Sequence, residues 1–294
     1  MPVAVVTDST SSLPDGVAAQ RDIRVVPLSV RLGARVGREG VDIDTAQLCA
    51  ALADRRLDVQ TSRPAPAAFA ACYRAALDAG ASSVVSVHLS RELSGTWEAA
   101  RFAADAFGPD RVRVVDSRAA CMGLGYAVLA AADAADDGGG IDEVAAAATE
   151  VAGRCRMFFS LDSLERLRRG GRIGAAAAWV GTALAVKPLL HVAQGRILPL
   201  EKVRTTARAA QRLVELAAQA AGEGPVDVAV QHLAAAGRAE EVAARLRERL
   251  DVARLLVSEV GAVIGAHVGT GLVGVVVVPG DGADPAPPRA KSSS

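Results

Sequence analysis

Ser83-Val84-Val85-Ser86-Val87-His88-Leu89-Ser90-Arg91-Glu92-Leu93-Ser94-Gly95-Thr96 is the stretch on which the fold turns. Ser83–His88 is a short apolar run rich in β-branched residues, the length and composition of a buried strand. Leu89–Gly95 is polar and closes on a glycine, as a loop does. From Thr96 the pattern becomes helical. Strand, loop and helix in direct succession make half of a βαβ unit, and such units build parallel sheets because parallel neighbours need a long crossover.

The same rhythm runs outward in both directions. Val3–Thr7 reads as a strand, followed by the polar loop Asp8-Ser9-Thr10-Ser11-Ser12, and Ile23–Leu32 as another strand. Asp44–Arg55 and Pro66–Ala79 read as helices, the second with Phe69, Tyr73 and Leu77 on one face. Val112–Val115 is a strand ending at Asp116-Ser117, and Ala119–Ala135 and Ile141–Ala152 are Ala-rich helices. Beyond them Met157–Leu161 is a strand, Asp162–Arg169 is helical, and Ala175–Val186 is helical up to Lys187-Pro188. Leu189–Val192 and Ile197–Leu200 flank Gln194-Gly195 as a hairpin. Helices at Thr205–Ala221 and Ala239–Leu250 alternate with strands at Val226–Gln231, Leu255–Val260 and Gly271–Val278. The expectation is an α/β fold of two α/β domains, each with a largely parallel sheet flanked by helices. Gly138-Gly139-Gly140 sets a seam near residue 150, giving an N-terminal domain at 1–152 and a C-terminal domain at 153–279. Residues 280–294 are rich in Pro, Gly and Ser without large apolar side chains, which predicts a disordered tail.

Composition narrows the function. The 294 residues carry 33 Lys plus Arg against 33 Asp plus Glu, so there is no basic surplus to grip a phosphate backbone. Aromatics make up only 3%, which argues against base- or sugar-stacking platforms. Cys49, Cys72, Cys121 and Cys155 form no C-x-x-C pair and no zinc spacing, so buried free thiols in a reducing cytoplasm are expected, and no metal site. The start Met1-Pro2-Val3-Ala4-Val5-Val6-Thr7-Asp8 lacks the basic region of a signal peptide. Val260–Gly280 is uncharged, but its glycines, His267 and Pro279 point to buried strands rather than a membrane helix.

Three hydroxyl-rich loops carry the chemistry: Asp8–Ser12, Thr61-Ser62 and Leu89–Thr96. Ser94-Gly95-Thr96 enters a helix, where free N–H groups and partial positive charge suit a carboxylate or phosphate and Gly95 permits close approach. The same hydroxyls serve equally as helix caps, and residues alone leave both readings open. Gly170-Gly171-Arg172 offers a guanidinium in a Gly-rich turn without Walker spacing. His267 sits between Gly265 and Gly269, and Asp8 and Asp116 end strands. Neither G-x-S-x-G nor H-E-x-x-H occurs. The chain thus presents many anion donors and no nucleophile with a matched base.

Taken in order, these motifs resemble the DegV family of bacterial fatty-acid-binding proteins. The likeness rests on Thr7-Asp8-Ser9-Thr10, Thr61-Ser62-Arg63-Pro64, Leu89 to Thr96, Val115-Asp116-Ser117, Gly170-Gly171-Arg172-Ile173, Lys187-Pro188, Lys202-Val203-Arg204-Thr205 and His267-Val268-Gly269-Thr270-Gly271. The resemblance implies a cytoplasmic, non-enzymatic carrier that needs no cofactor and holds one long-chain fatty acid, its carboxylate bound by Thr61 and Ser94. It also implies a separate fatty acid kinase subunit that phosphorylates the presented carboxylate, with neither nucleic acid nor integral membrane association. Ser62, Gly95, Arg172, Arg204 and His267 are weaker candidates for the head-group region, with Arg172, Arg204 and His267 expected to converge at its mouth. The alternative is a phosphotransfer enzyme using His267 or Asp116 with the Ser94 loop. The family usually has Gln at the position of Arg63 and Pro at that of Thr270. An acyl chain needs an anion site at one end and an apolar sleeve. At about 0.8 kcal/mol per buried CH₂, a dozen carbons supply roughly 10 kcal/mol of gross binding energy.

Overall fold

The computed structural model describes residues 2–54, 56–179 and 186–280. The first half runs through β1 (Val3–Asp8), α1 (Val17–Gln20), β2 (Arg24–Val26), β3 (Ser29–Leu32), β4 (Arg35–Arg38), α2 (Thr45–Ala53) and β5 (Val59–Ser62). It continues with α3 (Pro66–Asp78), β6 (Ser83–His88), α4 (Thr96–Ala104), β7 (Val112–Asp116), α5 (Cys121–Asp136) and α6 (Ile141–Arg154). The second half holds β8 (Arg156–Ser160), α7 (Glu165–Arg169), β9 (Lys187–Ala193), β10 (Arg196–Val203) and α8 (Thr206–Ala221). It closes with β11 (Val226–His232), α9 (Ala236–Arg249), β12 (Val252–Glu259), α10 (Ala262–Val268) and β13 (Val273–Pro279).

Among the described residues the strands form three sheets. The first, β2-β1-β6-β7, is parallel throughout. Alternation along β6 explains its layers. Val85 and Val87 face α5 and α6, through Leu124, Ala127, Val128, Val144 and Ala148. Val84 faces α3 and α4, through Phe69, Tyr73 and Ala100. Helices thus cover both faces, as a parallel sheet requires.

The expected α/β class holds, while the second sheet differs from the expected strand directions. Its order is β10-β9-β8-β13-β11-β12, and only β11 and β12 run parallel; every other neighbouring pair is antiparallel. The connections explain this. Gln194 and Gly195, both at positive φ, form a two-residue turn between β9 and β10. α10 has only seven residues, too short for a crossover, so the chain turns back and β13 enters antiparallel. Lys187-Pro188 begins β9 rather than ending a helix; Gly174–Trp179 is a 3₁₀ turn, and the rest of the expected helix lies largely outside the described residues. The tail expected at 280–294 lies outside them too, apart from Gly280.

The strand expected over Ile23–Leu32 is split at Pro27, which cannot donate to a ladder. β2 stays in the first sheet. β3 leaves it to pair with β4 and β5 in a third, antiparallel sheet. One face of the six-stranded sheet, carrying Phe158, Leu189, Val228, Val230 and Val275, packs on α8 and α9. Its other face, carrying Met157, Phe159, Leu190, Ala229 and Val276, meets α10, β3, α2 and the start of α5. The sheet is therefore sandwiched, and its inner face looks toward the first half of the chain.

Candidate functional site

A cavity lies along that inner face. About 1000 Å³ of empty space falls within it, open solvent at its mouth included. Most of its wall is apolar: Leu28, Leu89, Leu93, Phe159, Leu167, Ile197, Val263 and Ile264 among others. Thr61, Ser62, Arg63, Ser94, Arg172 and His267 also line it.

Hydrogen bonds tie these polar residues into one cluster. Thr61 Oγ1 lies 2.8 Å from His267 Nε2, joining β5 to α10. Ser94 Oγ lies 2.9 Å from Thr96 Oγ1 at the entry to α4. Arg172 donates through Nε to the Leu93 carbonyl at 3.0 Å and through Nη1 to the Gly170 carbonyl, so its guanidinium joins the Ser94 loop to the Gly-rich turn. Arg63 Nη1 donates to the Gly95 carbonyl at 3.3 Å. Two glycines make room for this crowding. A Cβ at Gly95 would collide with the Arg63 guanidinium, and a Cβ at Gly170 with the His267 ring.

The capping reading of these hydroxyls fails in the structure. The N-cap of α4 is Gly95 with no side-chain cap, and that of α3 is Ala65 with none either, Pro66 opening the helix. Neither Ser94 nor Thr61 is consumed by a helix end, so both retain capacity for a ligand. His267 is pushed down to about 4 by burial, with the Arg172 charge as a second cause. The ring is therefore neutral near pH 7. The cationic character of the cluster comes from Arg63 and Arg172.

Loop 89–96 is held from below by buried groups. Asp8 accepts hydrogen bonds from Thr10 N, Thr10 Oγ1, His88 Nδ1 and Leu89 N, at 3.0, 2.5, 2.9 and 3.2 Å. His88 Nε2 lies 2.7 Å from Ser86 Oγ, which accepts from Tyr73 OH at 2.9 Å. Asp8, Ser86 and His88 are completely buried, so this Asp-His-Ser series is a bracket inside the first sheet rather than a reactive triad. Ser90 Oγ donates to the Gly195 carbonyl at 2.8 Å, fastening the loop to the β9–β10 turn.

Of the remaining candidates, Arg204 and Asp116 fall elsewhere. Arg204 does not line the cavity. It follows β10, nine residues beyond the Gly195 turn that touches Ser90, which is about 25–30 Å along an extended strand. The convergence expected of Arg172, Arg204 and His267 therefore holds for Arg172 and His267 only. Asp116 caps the turn after β7, accepting from Arg118 N at 2.9 Å, and is also absent from the cavity wall. Ser62 and Gly95 are at the cluster, Ser62 exposed on the edge strand β5. Reading the sequence missed Gly170 as a steric partner of His267, and Gln231, a buried amide in the wall. A polar side chain at an inward position of an otherwise apolar strand is the signal that marks Gln231. Among the described residues no group of three or more His, Cys, Asp or Glu could hold a metal ion, and no helix is long and apolar enough to cross a membrane.

The fold is an α/β one in which a parallel layer and a mixed sheet flank an apolar cavity with a polar cluster on its wall. The chain belongs to the DegV family, whose description is "Uncharacterised protein, DegV family" and which matches residues 2–280. A DegV domain-containing protein of Streptomyces coelicolor is 54% identical over 276 residues, covering 94% of this chain and 98% of the relative. A fatty-acid-binding DegV family protein of Thermus thermophilus superposes with a TM-score of 0.87 at 35% identity, over 95% of this chain and 100% of that one. DegV of Bacillus subtilis, a fatty acid binding protein, superposes with a TM-score of 0.84 at 32% identity, over 95% and 100%.

Proposed function

We propose that this protein is a cytoplasmic carrier that binds one long-chain fatty acid non-covalently along the inner face of its six-stranded sheet. The carboxylate is held by the hydroxyls of Thr61 and Ser94, with Arg63 and Arg172 supplying positive charge, and the acyl chain lies in the apolar sleeve. The observation that carries this reading is a single cavity joining an apolar wall to two hydroxyls that cap no helix. The fatty acid binding described for the Thermus and Bacillus relatives supports it. Hydroxyl and guanidinium donors set orientation, because a hydrogen bond to a charged group is worth about 1.5–3 kcal/mol. Burial of the chain supplies most of the affinity.

The bound carboxylate is presented to a separate fatty acid kinase, which transfers a phosphoryl group to it. The carrier itself performs no catalysis. Mass spectrometry of the denatured purified protein tests the first half: a co-purifying fatty acid is expected, and a protein that neither carries nor takes up oleate or stearate would overturn it. Incubation with ATP tests the second. Acyl phosphate is expected only when a purified fatty acid kinase subunit is added, and steady formation by the isolated protein would make it an enzyme.

A further inference from the structure

The inner face of the sheet also gives the sleeve a direction and an end. The cavity-lining residues on it are Ile197 on β10, Val192 on β9, Met157 and Phe159 on β8, Gly274 and Val276 on β13, and Gln231 on β11. Strand order therefore carries the cavity across the strands rather than along them. The polar cluster lies toward the β9–β10 side, where Ser90 touches Gly195 and Arg196 pairs with Glu92 at 2.8 Å. From β10 to β11 there are four inter-strand steps, about 19 Å. Gln231 stands on the last strand that the cavity reaches.

What closes the far end is a contact between β11 and α5. Gln231 Oε1 accepts from Met122 N at 2.9 Å, and Gln231 Nε2 donates to Ser258 Oγ at 3.3 Å. These bonds fix the amide, which is 3% exposed, and draw the first turn of α5 onto the sheet. Ala120 and Cys121, just before Met122, complete the wall there.

We propose that Gln231 is the stop against which the far end of the acyl chain rests, so that this one residue sets the longest chain the protein accepts. The proposal rests on the fatty-acid reading of the cavity. Shortening the stop lengthens the sleeve, while an apolar side chain of similar length preserves it. At about 0.8 kcal/mol per methylene, a chain two carbons longer gains roughly tenfold in relative affinity once space exists for it.

The experiment loads delipidated protein with an equimolar series of saturated fatty acids of stepped length and identifies those retained by mass spectrometry. In the unmodified protein retention should rise with length and then drop abruptly at one chain length. A profile without that drop would overturn the stop. Gln231→Ala should move the drop about two carbons longer, and Gln231→Met should leave it in place. An unmoved drop in folded Gln231→Ala, or one moved equally by Gln231→Met, would overturn the assignment. Should Gln231→Ala fail to fold, Gln231→Asn, one methylene shorter with its amide kept, should move the drop in the same direction, and an unmoved drop there would overturn the assignment. Failure of the unmodified protein to retain any acid would instead remove the fatty-acid reading itself.

Discussion

Thr61 and His267 stand 206 residues apart in sequence and 2.8 Å apart in space, hydroxyl oxygen to ring nitrogen. The contact joins the edge strand β5 of the small antiparallel sheet to the last turn of α10. It brings the two halves of the chain together at the polar end of the cavity. Burial keeps the ring neutral near pH 7, so it can either accept from the Thr61 hydroxyl or donate to it. The Thr61 hydroxyl is thus oriented by a neighbour, as the proposed role in holding a carboxylate requires.

Thr61→Val keeps the shape of the side chain and removes the hydroxyl. Fatty acid affinity should fall by about tenfold or more, the value of one hydrogen bond to a charged group. Ser94→Ala should act in the same direction, since among the described residues its hydroxyl bonds only that of Thr96 at the helix entry. Isothermal titration with oleate is the measurement, with circular dichroism to confirm the fold. Unchanged affinity in folded Thr61→Val would take Thr61 out of the head-group site.

Gly170 and Gly171 form a natural pair of controls. Gly170 has ordinary helical backbone angles, and a Cβ there would strike the His267 ring. Gly171 has φ +71°, and among the described residues nothing lies near its missing Cβ. Gly170→Ala should weaken ligand binding by displacing His267, whatever its effect on stability. Gly171→Ala should cost about 1–2 kcal/mol of stability through left-handed strain and leave affinity unchanged. Equal affinities for the two variants would show that the His267 position does not matter to the ligand.

Much of this architecture is legible in the sequence, and the exceptions have physical causes. β6 and the loop after it read correctly because a β-branched run, a polar loop and a helical pattern follow one another without ambiguity. Thr61 and Ser94 were legible as hydroxyls near helix starts, though not that neither would serve as a cap. The direction of β13 was not, because periodicity reports a strand and says nothing of its neighbours. Nor could a one-dimensional pattern show that Pro27 hands β3 to a different sheet. Arg204 looked equivalent to Arg172 as a cation outside any apolar face, and only the length of β10 separates them.

The bracket under the Ser94 loop should be expensive to disturb. Asp8 takes four hydrogen bonds in a fully buried site, three of them from groups outside its own turn or from side chains. Asp8→Asn is isosteric but turns an N–H₂ toward donors. The loss should be about 3 kcal/mol, within the range for breaking a buried charged network. Urea unfolding measures it, and a loss below about 1 kcal/mol would mean that the network is not a bracket at all.

The depressed His267 gives the ligand-free protein a pH dependence of defined sign. Its ordinary value is 6.5, and burial followed by the Arg172 charge pushes it to about 4 in the folded state. Between those values the unfolded chain takes up a proton that the folded chain refuses. Stability linked to His267 is therefore fully present above about pH 6.5 and is lost as pH falls toward 4. The slope is at most about 1.4 kcal/mol per pH unit for one group. Gln in place of His267 cannot take up a proton in either state, so His267→Gln removes this component while leaving the other titrating groups. Urea unfolding of both proteins at steps from pH 7.5 to 4.5 isolates it as a difference. The wild-type curve should fall more steeply than that of His267→Gln across this window. Parallel curves would mean that His267 titrates alike in the folded and unfolded chains, and the neutral ring beside Thr61 would lose its physical basis.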